Sequence, residues 1–312
     1  RSPAPTGALS HETLLSAVAW SWGQLHPDEQ AAFAISSVFH GGFSREAAVA
    51  VVGPAVADDT GMYVMEVLNS LQQRSLIQAY EPGDNPGTVR YRVVRVAQGF
   101  ARERLIDRND GALAMKRHAD FLLAFAERKG PECFLAGGLE RLRDLRLELP
   151  NLNAIQHRAL RVQPPTIRSA TRALSSALSL EPIAILRSRY DEHAKLLDKA
   201  LAASERLHVD PALLARALLA RVRASLALGG TRDDERMVDA ATVLAEVDGD
   251  VRLLGQVESA RGRHMMKRRK LNEARKHFQR AVKLLQATNS PLHLGLAYVG
   301  LGETNQINQR LE

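Results

Sequence analysis

Residues 262–281 read GRHMMKRRKLNEARKHFQRA, and the spacing of their small and aromatic residues predicts two closely packed helices. Ala274, Phe278 and Ala281 follow Gly262 at offsets of 12, 16 and 19. Small residues let two helices approach closely where they cross, and an aromatic ring fills the groove beside the crossing. The stretch therefore predicts a helix pair in which Phe278 is buried.

The pattern recurs upstream with a nearly constant period. Three large-x-x-small pairs have their large residues 40 and then 41 positions apart, and Gly262 is followed by Gly302 at a distance of 40. The offsets are those of tetratricopeptide repeats, whose usual period is about 34, so the loops or helices here must be longer. We expect one full repeat at 255–289, two degenerate repeats before it and a truncated one after it. The pairs are Leu197–Ala200, Met237–Ala240 and Phe278–Ala281.

The N-terminal third predicts helices followed by one hairpin. Two strand-like runs, 76–80 and 89–94, flank the turn-forming sequence EPGDNPG. Upstream, in SVFHGGFSREAAVAVV (37–52), Gly41-Gly42 is expected to end a helix that starts at Pro27, and Ser44 to cap the next one. We interpret the glycine pair as a packing turn between Phe39 and Phe43.

The predicted fold class is all-α with one small β-hairpin. We divide the chain into a linker (1–10), a winged-helix domain (11–108), a helical connector (109–163), broken near Pro150, and a tetratricopeptide-like superhelix (164–312). The repeats of the superhelix have a period of about 40, and the last repeat is truncated.

Charge is concentrated at one end of the chain. The net charge is +7, and residues 251–312 hold 12 Lys and Arg against 4 Glu, so the other 250 residues carry about −1. A single cysteine, Cys133, excludes an intrachain disulfide and is typical of a reducing compartment, so we predict a cytoplasmic protein. No run of 18 apolar residues is present, and no membrane partner is expected.

The motifs of common catalytic sites are missing from the sequence. No Gly is followed by Lys, which excludes the phosphate-binding G-x-x-x-x-G-K-[ST] loop. The closest histidines, His264 and His277, are 13 residues apart, so no single helical turn can chelate a metal through two of them. A G-x-S-x-G nucleophile elbow is also lacking. We predict that the chain is not an enzyme and binds no metal or cofactor.

Five segments carry a family resemblance: LLSAVAWSWGQLHPDEQAAFAISSVFHGGFSREAAVAVV (14–52), LNSLQQRSLI (68–77), RYRVVRVAQGFARERL (90–105), RHADFLLAFAE (117–127) and LRDLRLELPNLNAIQHRAL (142–160). Taken together, these segments resemble the arm of STAND-class signalling NTPases, in their bacterial transcription-regulator-like branch. In that family a nucleotide-binding domain precedes a winged helix that transmits its state, and helical repeats act as the sensor. The resemblance implies that ATP or ADP and Mg bind only in an upstream domain, and we expect the chain to be a fragment. Val94 and Arg95 replace the family's His-Asp pair, which puts nucleotide sensing there in doubt.

The repeat phase predicts a partner-binding groove on the first helix of each pair. We expect a protein or peptide there, with a small-molecule inducer as another ligand and the protein's own NTPase domain as a partner. The alternative function is a nucleic-acid-binding transcriptional regulator that uses the basic C-terminal face. DNA reading by the helix at 44–52 is disfavoured, because Arg45 is its only candidate base reader. The groove residues are Arg223, Gln256, Ser259, Arg263, Met266 and Lys267.

Overall fold

The computed structural model describes residues 11–56, 61–83, 85–231, 233–288 and 290–309, so the predicted linker 1–10 lies outside them. Within these ranges the chain is helical apart from one antiparallel hairpin, which confirms the predicted fold class. The elements are α1 (His11–Gly23), α2 (Pro27–Ser36), α3 (Arg45–Val51), α4 (Met62–Gln73), β1 (Ile77–Tyr80), β2 (Arg90–Val93), α5 (Gln98–Ile106), α6 (Gly111–Glu132), α7 (Gly138–Leu147), α8 (Leu149–Leu160), α9 (Ile167–Ser179), α10 (Glu181–Arg187), α11 (Tyr190–Ser204), α12 (Pro211–Ala227), α13 (Asp234–Asp248), α14 (Val251–Lys267), α15 (Leu271–Gln286) and α16 (Pro291–Gln309).

Two compact units make up the chain. Unit 1 comprises residues 1–125 and 147–151, and unit 2 comprises 126–146 and 152–312. The segment predicted as a connector, 109–163, therefore contributes to both units. The predicted break near Pro150 is present at Glu148, between α7 and α8, and Pro150 lies in the first turn of α8, where proline is readily accepted.

In unit 1 the helices α1 to α4 precede the hairpin along the chain. After α2, Phe43 forms an isolated antiparallel bridge with Tyr91 of β2. Next come α3, capped by Ser44 whose side chain accepts from the Ala47 amide, then α4, β1 and β2. The helix directly before the hairpin is thus α4, and α3 is one helix further from it.

The Gly41-Gly42 turn is closely packed, as predicted, although α2 already ends at Ser36 rather than at the glycines. Both glycines have positive φ, 78° and 105°, where other residues are strained. A Cβ on Gly41 would lie 2.8 Å from Cγ of Pro150. On either side, the rings of Phe39 and Phe43 are buried and stack with centroids 4.4 Å apart.

A buried ion pair ties the hairpin to the 147–151 segment within unit 1. The Arg90 guanidinium donates to Glu148 at 2.6 Å and to the Gly42 carbonyl at 3.1 Å. Asn151 donates to the same carboxylate at 2.7 Å and also to the Gly42 carbonyl. Because the side chains of Arg90 and Glu148 are only 4% and 5% exposed, each depends on the other for charge compensation.

Unit 2 arranges its repeats in two layers. The first helices of the pairs, α9, α12, α14 and α16, contact one another in sequence and form what we call the first-helix layer. The second helices, α11, α13 and α15, each pack between their own first helix and the next one. This nearest-neighbour pattern is typical of helical repeat proteins.

The capping residues of the first helices recur at a regular spacing. Thr166, Asp210 and Asp250 cap α9, α12 and α14 with their side chains, and Ser290 stands immediately before α16. Asp210, Asp250 and Ser290 are 40 residues apart. Side-chain oxygens at this position accept from free amides of the first turn and so define where each helix starts. The period of about 40 therefore holds for the first helices from α12 onward.

The second helices share one register of buried residues, and here one predicted pair is wrong. In α15, Ala274, Phe278 and Ala281 are fully buried, as predicted, and Leu197 and Ala200 are equally buried in α11. In α13, however, Ala240 is exposed, and the buried pair is Val238 and Ala241, one residue later. The buried large residues, Leu197, Val238 and Phe278, are therefore 41 and then 40 positions apart, in place of the predicted 40 and then 41.

Phe278 lies between two glycines of adjacent first helices. A Cβ on Gly262 would lie 2.9 Å from the ring, and one on Gly300 of α16 would overlap it. Gly302, which the sequence pairs with Gly262, has open space at its Cβ position. The glycine that makes room for the aromatic ring in α16 is therefore Gly300, not Gly302.

Candidate ligand-binding face

The six predicted groove residues all lie in the first-helix layer, one on α12 and five on α14. Arg223 and Arg263 occupy the same position of successive repeats, 40 residues apart. On α14, Gln256, Ser259 and Arg263 follow one another at helical spacing and form one stripe. The structure thus brings these side chains to one layer, as the repeat phase predicts, while their role in partner binding stays a prediction.

The six side chains differ in how accessible they are. Gln256 and Ser259 are buried, at 6% and 7% exposure, and present little surface to a macromolecule. Met266 is half-buried, and its sulfur accepts from the Thr304 hydroxyl of α16 at 3.6 Å. Lys267 is exposed, but its ammonium donates to the Leu226 carbonyl at 2.6 Å. That bond satisfies a carbonyl in the last turn of α12, which is a structural role.

Arg223 has a carboxylate partner in the first residue of α10. Its Nη2 lies 2.6 Å from Glu181, and its Nε donates to the same oxygen at 2.8 Å. The two side chains retain 16% and 18% exposure. Burial acts to raise the pKa of the Glu181 carboxyl, but the positive charge of Arg223 lowers it. The net result is that the pKa of Glu181 lies below its usual range.

Arg263 is the less compensated of the two arginines. Its Nη2 donates to the Leu296 carbonyl of α16 at 3.2 Å. Among the described residues, no carboxylate lies within 4.0 Å of its guanidinium. Burial lowers the pKa of Arg263, the Glu303 carboxylate partly opposes this, and the charge of Arg223 lowers the pKa further.

Two histidines near Arg223 and Glu181, His193 and His293, are neutral at neutral pH. Burial lowers the pKa of His293, in the first turn of α16, to about 4, and the charge of Arg223 acts in the same direction. Burial also lowers the pKa of His193, whose Nε2 lies 3.0 Å from the Ala177 carbonyl. Both imidazoles can therefore donate or accept hydrogen bonds near neutral pH without adding charge.

Part of the positive charge at the C-terminal end is paired with acids. The guanidinium of Arg261 bonds Asp239 at 3.1 Å, that of Arg268 bonds Glu235 at 3.0 Å, and Arg280 lies 3.6 Å from Glu258. Because the paired acids come partly from α13, the excess of +8 counted over 251–312 overstates the charge of the folded surface. This pairing weakens the case for a nucleic-acid face.

A separate cavity of about 260 Å³ lies between α13 and the α14–α15 pair. Its walls include His264 and His277, and its carboxylates, Glu235 and Asp239, already have the arginine partners just described. The described part of the chain contains no group of three side chains placed to hold a metal ion. Nor does any described helix have the length and apolarity needed to cross a bilayer. Cys133 is buried, as its small size favours, and burial raises its pKa to about 11.

Sequence reasoning missed Glu181 and His293, two titratable groups near Arg223. Glu181 is the first residue of a short helix that the sequence shows only as a break before Pro182. His293 could have been found from the caps, because it stands three residues after Ser290, at the start of the next first helix. Its hydrogen-bonding contact with the Ser290 hydroxyl is 2.7 Å long.

Comparison with known proteins supports the fold. The chain is similar in structure to a Signal Transduction ATPase with Numerous Domains (STAND) protein with a tetratricopeptide repeat sensor from Pyrococcus horikoshii, with a TM-score of 0.50 and 15% sequence identity. The similarity covers 98% of this chain and 45% of that protein, so this chain spans less than half of its length. No protein-family model and no curated protein matches the sequence. At this identity the likeness shows the fold alone, an all-α arrangement with tetratricopeptide-like repeats.

Proposed function

We propose that the chain is the non-catalytic arm of a STAND-type signalling regulator. In this proposal unit 2 senses a ligand or a protein partner on its first-helix layer, and unit 1 passes the signal to a nucleotide-binding domain. The observation that carries the proposal is the structural likeness to a STAND protein with a repeat sensor, which extends over 98% of the chain.

The order of elements in unit 1 supports its assignment as a winged helix. A helix, a bridging residue, two helices, a strand, a turn and a second strand follow one another, as in winged-helix domains. The base-reading element of such a domain would be the helix before the hairpin, α4. That helix, MYVMEVLNSLQQ, contains Glu66 and no Lys or Arg, and the turn sequence EPGDNPGTV also lacks basic residues. We therefore propose a transmitting role rather than DNA reading.

The first test is the gene sequence on the 5′ side of the Arg1 codon. The proposal expects an open reading frame that continues upstream and encodes a G-x-x-x-x-G-K-[ST] loop. A frame that starts at Arg1, or an upstream region without that loop, would contradict the proposal.

A second test uses the 312-residue chain itself. ATP with Mg²⁺ at about 100 times a plausible dissociation constant would stabilise a nucleotide-binding protein by about 2.7 kcal/mol. We expect no rise in melting temperature, because the sequence has no phosphate-binding loop. A clear rise would contradict the assignment of nucleotide binding to another domain.

A gel-shift assay with random duplex DNA tests the alternative, a nucleic-acid-binding regulator. At about 0.15 M salt we expect no micromolar binding, since acids of α13 pair with Arg261 and Arg268 and reduce the positive charge of the C-terminal face. Micromolar or tighter binding that is lost in the double variant Arg263→Glu/Lys267→Glu would favour the alternative.

A further inference from the structure

The first-helix layer of unit 2 places two arginines on adjacent helices, and one of them already contacts a carboxylate. Arg223 and Arg263 stand at the same position of adjacent first helices, and the charge of Arg223 acts on the Arg263 guanidinium. Glu181 compensates Arg223 through its contact of 2.6 Å, whereas among the described residues Arg263 has the Leu296 carbonyl as its hydrogen-bond partner and a longer-range attraction to Glu303. Like charges in a partly desolvated place repel, so this arrangement has unused capacity for an anion.

Other groups in the same layer add to this positive field. Arg216 and Arg252 act electrostatically on His293, in the same direction as Arg223, so the start of α16 faces several guanidinium groups. The first turn of a helix also carries a partial positive charge and free backbone amides. Arg216 lies 3.5 Å from Glu127, and Arg252 lies 3.3 Å from Asp250. Both distances are longer than the 2.6 Å between Arg223 and Glu181.

We propose that this site binds the oxyanion group, a carboxylate or phosphate, of a small-molecule ligand between Arg223 and Arg263. A guanidinium fork matches the geometry of either oxyanion and can donate two parallel hydrogen bonds. The inference rests on the proposed sensor function and names the chemistry of the ligand that the sensor recognises.

The size of the ligand group follows from burial along α14. Gln256 and Ser259 precede Arg263 on the same stripe and are buried, and Arg263 itself is half-buried. We expect the partly covered guanidinium to take a single oxyanion rather than a bulky peptide surface. Burial lowers the pKa of His293 to about 4, so this imidazole adds no positive charge of its own near pH 7.

Binding is measured by calorimetry on the full chain with two probes, inorganic phosphate and succinate, each titrated at constant ionic strength set with chloride. We expect at least one probe to bind at about millimolar affinity or better, and the Arg263→Gln variant to bind it at least about tenfold more weakly. The phosphate and succinate titrations separate the two sources of the oxyanion.

The matched control is Arg275→Gln, which removes the same charge from an exposed position on the second helix α15. It should bind the probe like the parent, since the site lies in the other layer. Arg263→Lys keeps the charge without the fork and should fall between parent and Arg263→Gln. Far-UV circular dichroism confirms that each variant is folded.

Three results would overturn the proposal. They are the absence of binding of both probes at about 10 mM, equal loss of binding in Arg275→Gln and Arg263→Gln, and unchanged binding in a folded Arg263→Gln variant. The proposed function is tested separately by the upstream reading frame. An upstream phosphate-binding loop together with no probe binding would refute only the oxyanion site, whereas probe binding without such a loop would refute the STAND assignment alone.

Discussion

Arg90 in unit 1 is buried and Arg263 in unit 2 is half-buried, and the two arginines have different partners. Arg90 contacts the buried Glu148 carboxylate, which Asn151 also binds, and donates to the Gly42 carbonyl. Arg263 contacts a single carbonyl and lies next to another arginine. A compensated buried charge serves to hold two segments together, whereas an under-compensated one retains capacity for an external anion. The same residue type thus has a structural role in one unit and a proposed ligand-binding role in the other.

The largest expected effect is a difference in the free energy of unfolding between variants of these two arginines. Arg90→Met leaves Glu148 buried without its charge partner and should lower the free energy of unfolding by about 3–5 kcal/mol. Arg263→Met leaves no carboxylate without a contact partner and should change it by less than about 1 kcal/mol. Urea unfolding followed by circular dichroism measures both. The contrast between the units fails if the two variants lose similar stability.

Phe278→Ala should be almost as damaging within unit 2. The ring is fully buried between Gly262 and Gly300, so its removal leaves a cavity that two glycines cannot fill. We expect a loss of about 3–5 kcal/mol in the same urea experiment. A variant as stable as the parent would show that the aromatic ring does not organise the last repeats.

Two glycines of α16 provide a smaller and sharper comparison. Gly300→Ala places a methyl group against the Phe278 ring and should cost about 1–3 kcal/mol through overpacking. Gly302→Ala has open space and should instead stabilise the helix by about 0.5–1 kcal/mol, because alanine loses less backbone entropy than glycine. Melting temperatures of the two variants should therefore move in opposite directions, and a shared direction would contradict the assignment of Gly300 to the aromatic contact.

The smallest expected effect is a change in pH dependence. Burial lowers the pKa of His293 to about 4 from 6.5, so the unfolded chain takes up this proton at a higher pH than the native protein does. The stabilising contribution is therefore complete above pH 6.5 and declines as the pH falls toward 4. His193 acts in the same direction, whereas the lowered pKa of Glu181 matters only below its usual value of 4.5.

His293→Gln should make the unfolding free energy less dependent on pH across that interval. His208→Gln, at an exposed position, is the matched control and should leave the profile unchanged. Unfolding measured at several pH values from 4 to 7 checks both, and identical slopes for parent and His293→Gln would contradict the burial of this imidazole.

How far the sequence predicts the structure depends on the range of the interactions involved. Local signals succeeded, since the Ser44 cap and the hairpin follow from capping and turn chemistry. The register of α13 was missed because Met237–Ala240 and Val238–Ala241 are equally good patterns, and only packing against neighbouring helices selects the second. Pairing of charges between helices has no local signature, so the Glu181 partner of Arg223 and the α13 acids that pair with Arg261 and Arg268 could not be predicted.

The even spacing of Asp210, Asp250 and Ser290 defines the length of one repeat step as 40 residues. A tandem duplication of 40 residues would leave every cap in place and insert one complete step, because the main contacts of each repeat helix are with its neighbours. Each such step also copies the position held by Arg223 and Arg263. Duplication and loss of steps therefore change the length of the first-helix layer and its charge together.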